Sequence, residues 1–188
     1  ALDDWQRYGH QVPTLVDIGL NAQTPLNHHV LAVQGALRLI APRQQMGRGM
    51  GQPGGQRMGR GMQSMDAAQV ESRALLCLKI LDQARRIEEK RLAVAALGTL
   101  PCQQAVNRLL DLVKDESLKN EAGFAAVDLA GSMLRTDRQA AQDLAKKIRD
   151  MNLSADINTR ADAVINGRGM GGFGRRGGGG GRRGGQRG

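Results

Sequence analysis

Three histidines, His10, His28 and His29, are the only imidazoles in the chain. Metal sites on helices commonly use two ligands four residues apart, because residues at that spacing share one face. His28 and His29 are adjacent, and successive residues of a helix point about 100° apart. The two rings therefore cannot bind one metal in that way. We interpret them as solvated or half-buried helix residues and predict no metal site.

Cys77 and Cys102 are the only thiols, too few for a disulfide scaffold. Each lies on the apolar stripe of a different predicted helix, which favours small buried core residues. A second interpretation is that Cys102 is reactive, because the N-terminus of a helix favours the thiolate. The sequence places no histidine beside it to act as a base.

Adjacent carboxylates occur at Asp3-Asp4 and at Glu88-Glu89. General acid–base catalysis needs groups that converge on one substrate, and neighbours in sequence usually do not converge. Glu88 and Glu89 begin a predicted helix, where the helix dipole favours negative charge. We interpret both pairs as capping and surface charge. The sequence therefore predicts no catalytic residues and no enzyme.

The pattern Gly-x-Gly-x-x-Gly occurs twice near the C-terminus, starting at Gly167 and at Gly169. A phosphate-binding loop needs a strand before it and a helix after it, and the sequence predicts neither here. The surrounding 22 residues contain 13 glycines, so such matches arise by chance. We predict no bound nucleotide and no other cofactor.

Arginine and glycine are concentrated in residues 43–64 and 167–188. These two segments contain ten arginines, 20 of the 26 glycines and no Asp, Glu or Lys. The other 144 residues carry 17 basic and 18 acidic side chains, so the net charge of +9 comes from the two segments. Such compositions bury too little apolar surface to offset the loss of chain entropy on folding. We expect a disordered insert and a disordered tail.

The tail contains Arg-Gly-Gly triplets that start at Arg176 and Arg183. Arginine on a flexible chain can pair with phosphates and stack on bases. RNA or another polyanion could therefore bind the tail through its one aromatic residue, Phe173, and its six arginines. The arginines are Arg168, Arg175, Arg176, Arg182, Arg183 and Arg187. Nucleic-acid-binding segments of this kind usually contain more aromatic residues. A low-complexity linker without a fixed partner is the other interpretation.

The rest of the chain is predicted to form helices. Aromatic residues make up 2% of the chain, and strands favour aromatic and β-branched residues. Apolar residues recur at the helical spacing of three and four, and no apolar run approaches the ~20 residues of a membrane span. The predicted helices are 13–22, 26–41, 67–84, 87–99, 101–114, 118–134, 137–151 and 155–165. Expected starting residues are Pro101, Ser117, Thr136 or Asp137, and Ser154.

An Ala-Val step recurs in the second helix of each successive pair, at residues 32–33, 93–94, 126–127 and 163–164. The spacings are 61, 33 and 37 residues, and the first becomes 39 without the 22-residue insert. A period of roughly 33–47 residues with two helices per unit is typical of helical solenoids. Ala93, Val94, Ala126 and Val127 are predicted to lie between helices.

Residues 101–131, PCQQAVNRLLDLVKDESLKNEAGFAAVDLAG, resemble a HEAT unit. The first helix leads into a turn that contains Asp111 and Asp115, and the second has Lys119 near its start and a small-residue face. EEKRLAVAALGTL is similar to the second helix of a preceding unit. Together with LNHHVLAVQGALRLIA, these segments resemble the HEAT-type C-terminal modules of large, often exported proteins of planctomycetes and related bacteria. The resemblance covers residues 1–42 and 66–166.

The resemblance implies an all-α, armadillo-like fold, a right-handed superhelical solenoid of three to four helix pairs. Residues 1–42 would form the N-terminal pair, 43–64 the insert, 65–166 the repeats and 167–188 the tail. It also implies a non-catalytic scaffold that binds a protein partner on its concave face. The chain would be the C-terminal part of a larger protein, exported or in the cell envelope. Polyanion binding by the tail is the alternative function.

Overall fold

The computed structural model describes residues 7–41 and 66–168. Within these ranges the chain forms eight α-helices and no strand. A short 3-10 turn, Gly9–Gln11, comes first. The helices are α1 Val12–Leu20, α2 Leu26–Ile40, α3 Ala67–Gln83, α4 Ile87–Leu97, α5 Gln103–Leu112, α6 Lys119–Met133, α7 Arg138–Asp150 and α8 Ala155–Ile165. The all-α prediction is confirmed. The predicted insert, 43–64, and tail residues 169–188 lie outside the described residues.

Two of the predicted helix starts are confirmed and two are wrong. The Asp137 carboxylate accepts from the Ala140 N–H, and the Ser154 hydroxyl accepts from the Ile157 N–H. Ser117 instead donates its N–H and its hydroxyl to Asp115, which closes the turn before α6 and lowers the pKa of Asp115. Pro101 precedes the N-cap of α5, because Cys102 occupies that position.

Taken two at a time in chain order, the eight helices give four pairs in contact, α1 with α2, α3 with α4, α5 with α6, and α7 with α8, and α6 also packs on α7. Connections of three to six residues join the members of each pair, and such short connections make the paired helices antiparallel. The second helices also contact one another in order, α2 with α4, α4 with α6, and α6 with α8. Among the first helices, α1 contacts α3 and α3 contacts α5.

The Ala-Val steps lie where the second helices pack. Ala32, Val33 and the corresponding residues of α4 and α6 are buried, whereas in α8 Val164 is buried and Ala163 is half-buried. Small residues allow close approach. A Cβ atom on Gly98, at the end of α4, would lie 2.8 Å from the carbonyl oxygen of Ala125 in α6. Ala93, Val94, Ala126 and Val127 are each 0% exposed, which confirms the prediction that they lie between helices.

Gly167 and Arg168, which the composition assigned to the tail, close the last helix. The Gly167 N–H donates to the Val164 carbonyl and the Arg168 N–H to the Ala163 carbonyl, both at 2.8 Å. This pattern is a Schellman motif, and it requires the left-handed conformation that Gly167 adopts with φ of +70°. The ordered fold therefore extends two residues beyond the predicted boundary.

Across the two described ranges, every helix is too short or too polar to pass through a bilayer.

Candidate functional site

The most unusual side-chain cluster is buried between the first and second helix pairs. His29 on α2 is 0% exposed and Glu89 on α4 is 2% exposed. The Nε2 atom of His29 lies 2.8 Å from Oε2 of Glu89, and its Nδ1 contacts the carbonyl oxygen of Gly19 on α1. Three helices thus meet at one imidazole. Because solvent does not reach the ring, it cannot act on a soluble substrate.

Gly19 lets α1 approach this cluster. A Cβ atom at position 19 would lie 2.8 Å from Cγ2 of Val33. The missing side chain therefore brings the Gly19 carbonyl, near the end of α1, within reach of His29.

Sequence reasoning misplaced both members of the buried pair. His29 was expected to be solvated or half-buried and Glu89 to be surface charge. The signal was present in the spacing: His29 lies on the α2 stripe with Ala32, Val33 and Ala36, and Glu89 lies on the α4 stripe with Ala93. A polar residue on an apolar stripe requires a buried partner. The neighbours His28 and Glu88 are exposed, in line with the expectation for those positions.

The cysteines are core residues. Cys77 is fully buried, and burial, with a smaller contribution from the Cys102 thiol, raises the pKa of Cys77 to about 12. Cys102 is half-buried and packs against the same core cluster. Both thiols are free. A thiol with such a high pKa is unreactive at neutral pH, so Cys77 has the properties of a structural residue.

The solvent-exposed side of α4, α6 and α8 carries paired charges and a few apolar side chains. We call it the second-helix face, and it consists of Arg91, Leu92, Ala95, Glu121, Phe124, Asp128 and Arg160. Arg91 of α4 pairs with Glu121 of α6 at 2.9 Å. Arg160 of α8 lies 3.6 Å from Asp128 and 5.0 Å above the ring of Phe124. Burial raises the pKa of Asp128, and Arg160 opposes that rise.

A shallow groove of about 710 Å³ separates α5 from α7 on the other side of the molecule. Leu110 and Met151 form its apolar part. Two lysines and two aspartates lie beside them, Lys114, Lys147, Asp111 and Asp150. The groove therefore has no net charge and no cluster of groups that would select one ligand.

The structure places one of the predicted polyanion-binding residues, Arg168, which is exposed at the end of α8. Phe173 and the five other arginines, from Arg175 to Arg187, lie outside the described residues. No group of three or more His, Cys, Asp or Glu side chains within residues 7–41 and 66–168 could hold a metal ion.

Comparisons of the chain with protein-family models, with curated proteins and with solved structures found no match.

Proposed function

We propose that this chain is a HEAT-type, right-handed superhelical solenoid and that its second-helix face binds a segment of a partner protein, with no catalytic role. The observation that carries the proposal is the continuous row of second helices, α2, α4, α6 and α8, each in contact with the next. Stacked helix pairs of this kind present extended surfaces for binding.

The packing supports a concave shape for the second-helix face. Its helices approach through alanine and glycine, as at Gly98 against Ala125. On the opposite side, a groove separates α5 from α7. A double layer that is closer on one side than on the other curves toward the closer side. The second helices would then line the inside of the curve, where a partner gains the most contact.

The charges of this face favour an apolar partner segment of low net charge. Its two arginines are already paired with Glu121 and Asp128 on neighbouring helices. Leu92 is 45% exposed, so burial of apolar area is the main interaction that the face offers. A polyanion would have to displace both carboxylates from their arginines.

Leu92→Glu is the test of this proposal. The full chain, immobilised, should capture a partner from a lysate of the source cells, and the Leu92→Glu variant should retain at least tenfold less of it. The reason is that the substitution removes an apolar contact and adds an unpaired charge to the interface. Leu75→Glu is the matched control, because Leu75 on α3 is also exposed, at 56%, but lies on the first-helix side. Equal losses in the two variants would contradict the assignment of the face.

The alternative function is binding of RNA or another polyanion through the tail. The observation that favours it is charge: residues 169–188 contain five arginines and no acid. Electrostatic binding of this kind is independent of sequence and sensitive to salt. It would leave the second-helix face unused, so the two functions can be separated by experiment.

We expect tail-dependent RNA binding to fall by about a hundredfold between 0.05 and 0.2 M salt if each of the five arginines neutralises one phosphate. The probe is a labelled single-stranded oligouridine, measured by fluorescence anisotropy. The truncated chain should end at Arg168, because Gly167 and Arg168 close α8. A truncated chain that binds as tightly as the full chain would rule out the tail. Binding that vanishes at physiological salt would favour the scaffold.

A further inference from the structure

The hydrogen bonds of the buried His29–Glu89 pair fix the number of protons that it holds. The Gly19 carbonyl can only accept, so Nδ1 of His29 must carry a proton. The contact of 2.8 Å between Nε2 and Oε2 of Glu89 needs a second proton, because two lone pairs repel at that distance. The pair is therefore an imidazolium with a carboxylate or an imidazole with a carboxylic acid. In both forms it holds two protons and has no net charge.

Exposed to water at neutral pH, the same two side chains hold one proton fewer. A solvated histidine is mostly neutral above pH ~6.5 and a solvated glutamate is ionised above pH ~4.3. Separation of the pair near pH 7 to 8 therefore releases a proton. By linkage, a state that holds an extra proton loses stability as the pH rises.

The pair lies between two parts of the fold that have no short covalent connection. Residues 42–65 separate α2 from α3 in the chain, whereas His29 and Glu89 join α2 directly to α4. The other polar contacts between these parts include an exposed ion pair, Lys79 with Asp17 at 2.7 Å, and hydrogen bonds from Arg85 to the Asn21 carbonyl and from Arg73 to the Ile40 carbonyl. Exposed pairs contribute little. We propose that the His29–Glu89 pair is a proton-dependent latch, which holds the first helix pair, α1 with α2, on the rest of the fold and weakens as the pH rises above about 7.

Apart from Arg73, the other charged groups near the latch are in contact with water. Asp17 on α1 and Lys79 on α3 pair with each other, and Glu88 on α4 pairs with Arg86 just before it. His28 on α2 and Arg85, in the turn before α4, are exposed, and Lys90 on α4 and Glu121 on α6 are partly exposed. Arg73 on α3 is also buried, and it donates to the carbonyl of Ile40 at the far end of α2. The exposed groups keep their contact with water when the helices separate, so the buried pair undergoes the largest change of environment.

Hydrogen exchange of the full chain tests the latch. From pH 7 to 9, after correction for intrinsic exchange, the opening equilibrium of α1 and α2 should rise by up to about tenfold per pH unit. The opening equilibrium of helices α6 to α8 should change less over the same pH range. A Glu89→Gln variant should lose this dependence, because its amide can donate to a neutral His29 without an added proton. Glu88→Gln, one residue away and exposed, is the control and should behave like the parent.

Two results would overturn the latch: no rise in opening for the parent, or the same rise in the Glu89→Gln variant. If that variant does not fold, the ¹⁵N shifts of the parent's His29 decide the question. The proposal requires a proton on Nδ1 at pH 8. A neutral ring with its only proton on Nε2 would refute it.

The latch has a consequence that rests on the proposed function. α2 begins the row of second helices and contacts α4, so its release would remove one neighbour of the second-helix face. The exchange experiment contains no partner and does not depend on that function. A pH-dependent opening without partner capture would therefore refute the function and leave the latch in place.

Discussion

An Ala126→Arg substitution should lower the free energy of unfolding by about 3–5 kcal/mol or prevent folding. Ala126 is 0% exposed in the middle of α6, the helix that contacts α4, α5, α7 and α8. Glu89, the one buried acid among the described residues, is paired with His29 on another interface. The new guanidinium would therefore be buried without a partner. Urea unfolding followed by circular dichroism measures the change.

Ala95→Arg is the matched control for this prediction. Ala95 is an exposed residue of α4, so the substitution adds the same charge and side chain to a helix without burying either. We expect a change within about 0.5 kcal/mol. If Ala126→Arg unfolds at the same urea concentration as the parent, then Ala126 does not lie between helices and the Ala-Val repeat is a coincidence of sequence.

The positions of the helices could be predicted because each depends on local spacing. Apolar residues at three- and four-residue intervals mark the buried side of every helix from α1 to α8, and the observed ends lie within two residues of the predicted ones. The same pattern placed Ala93, Val94, Ala126 and Val127 between helices. These features need no knowledge of which helices pack together.

The buried pair could not be predicted by residue type alone. His29 and Glu89 are 60 residues apart, and nothing local to either one identifies the other as its partner. His29 was expected to be solvated or half-buried and Glu89 to be surface charge, because histidine is of intermediate burial in proteins and glutamate is usually exposed. Their positions on apolar stripes conflict with that assignment. Only the packing of α2 against α4 resolves the conflict, by burying both side chains together.

The helix starts show a competition between two local interactions. Asp137 and Ser154 cap the helices that follow them, as their residue types predict. Ser117 does not, because the nearby Asp115 accepts both of its hydrogen bonds. A polar residue that can cap a helix can equally close a turn, and the competing acceptor decides which occurs.

Gly98→Ala should destabilise the fold by about 1–3 kcal/mol. The backbone at Gly98 has φ of −60° and ψ of −12°, which alanine adopts readily, so conformational strain is not the cause. The cost is steric. The added Cβ would lie 2.8 Å from the carbonyl oxygen and 2.9 Å from the Cα of Ala125, and these are backbone atoms of a central helix that cannot rotate aside. The end of α4 and α6 would have to separate, which would loosen the row of second helices.

Gly35→Ala should change stability in the opposite direction, with a gain of about 0.5–1 kcal/mol. Gly35 lies inside α2, where alanine has the higher helix propensity. The nearest atom to its added Cβ would be Cδ1 of Leu15 at 3.9 Å, an ordinary contact. The two substitutions add the same methyl group to a helix or its end, so the sign of the change in urea midpoint reports the local distance between helices. A gain of stability in the Gly98→Ala variant would show that α4 does not approach α6 as closely as Gly98 and Ala125 indicate, and a loss in the Gly35→Ala variant would show that the space beside Leu15 does not accept a methyl group.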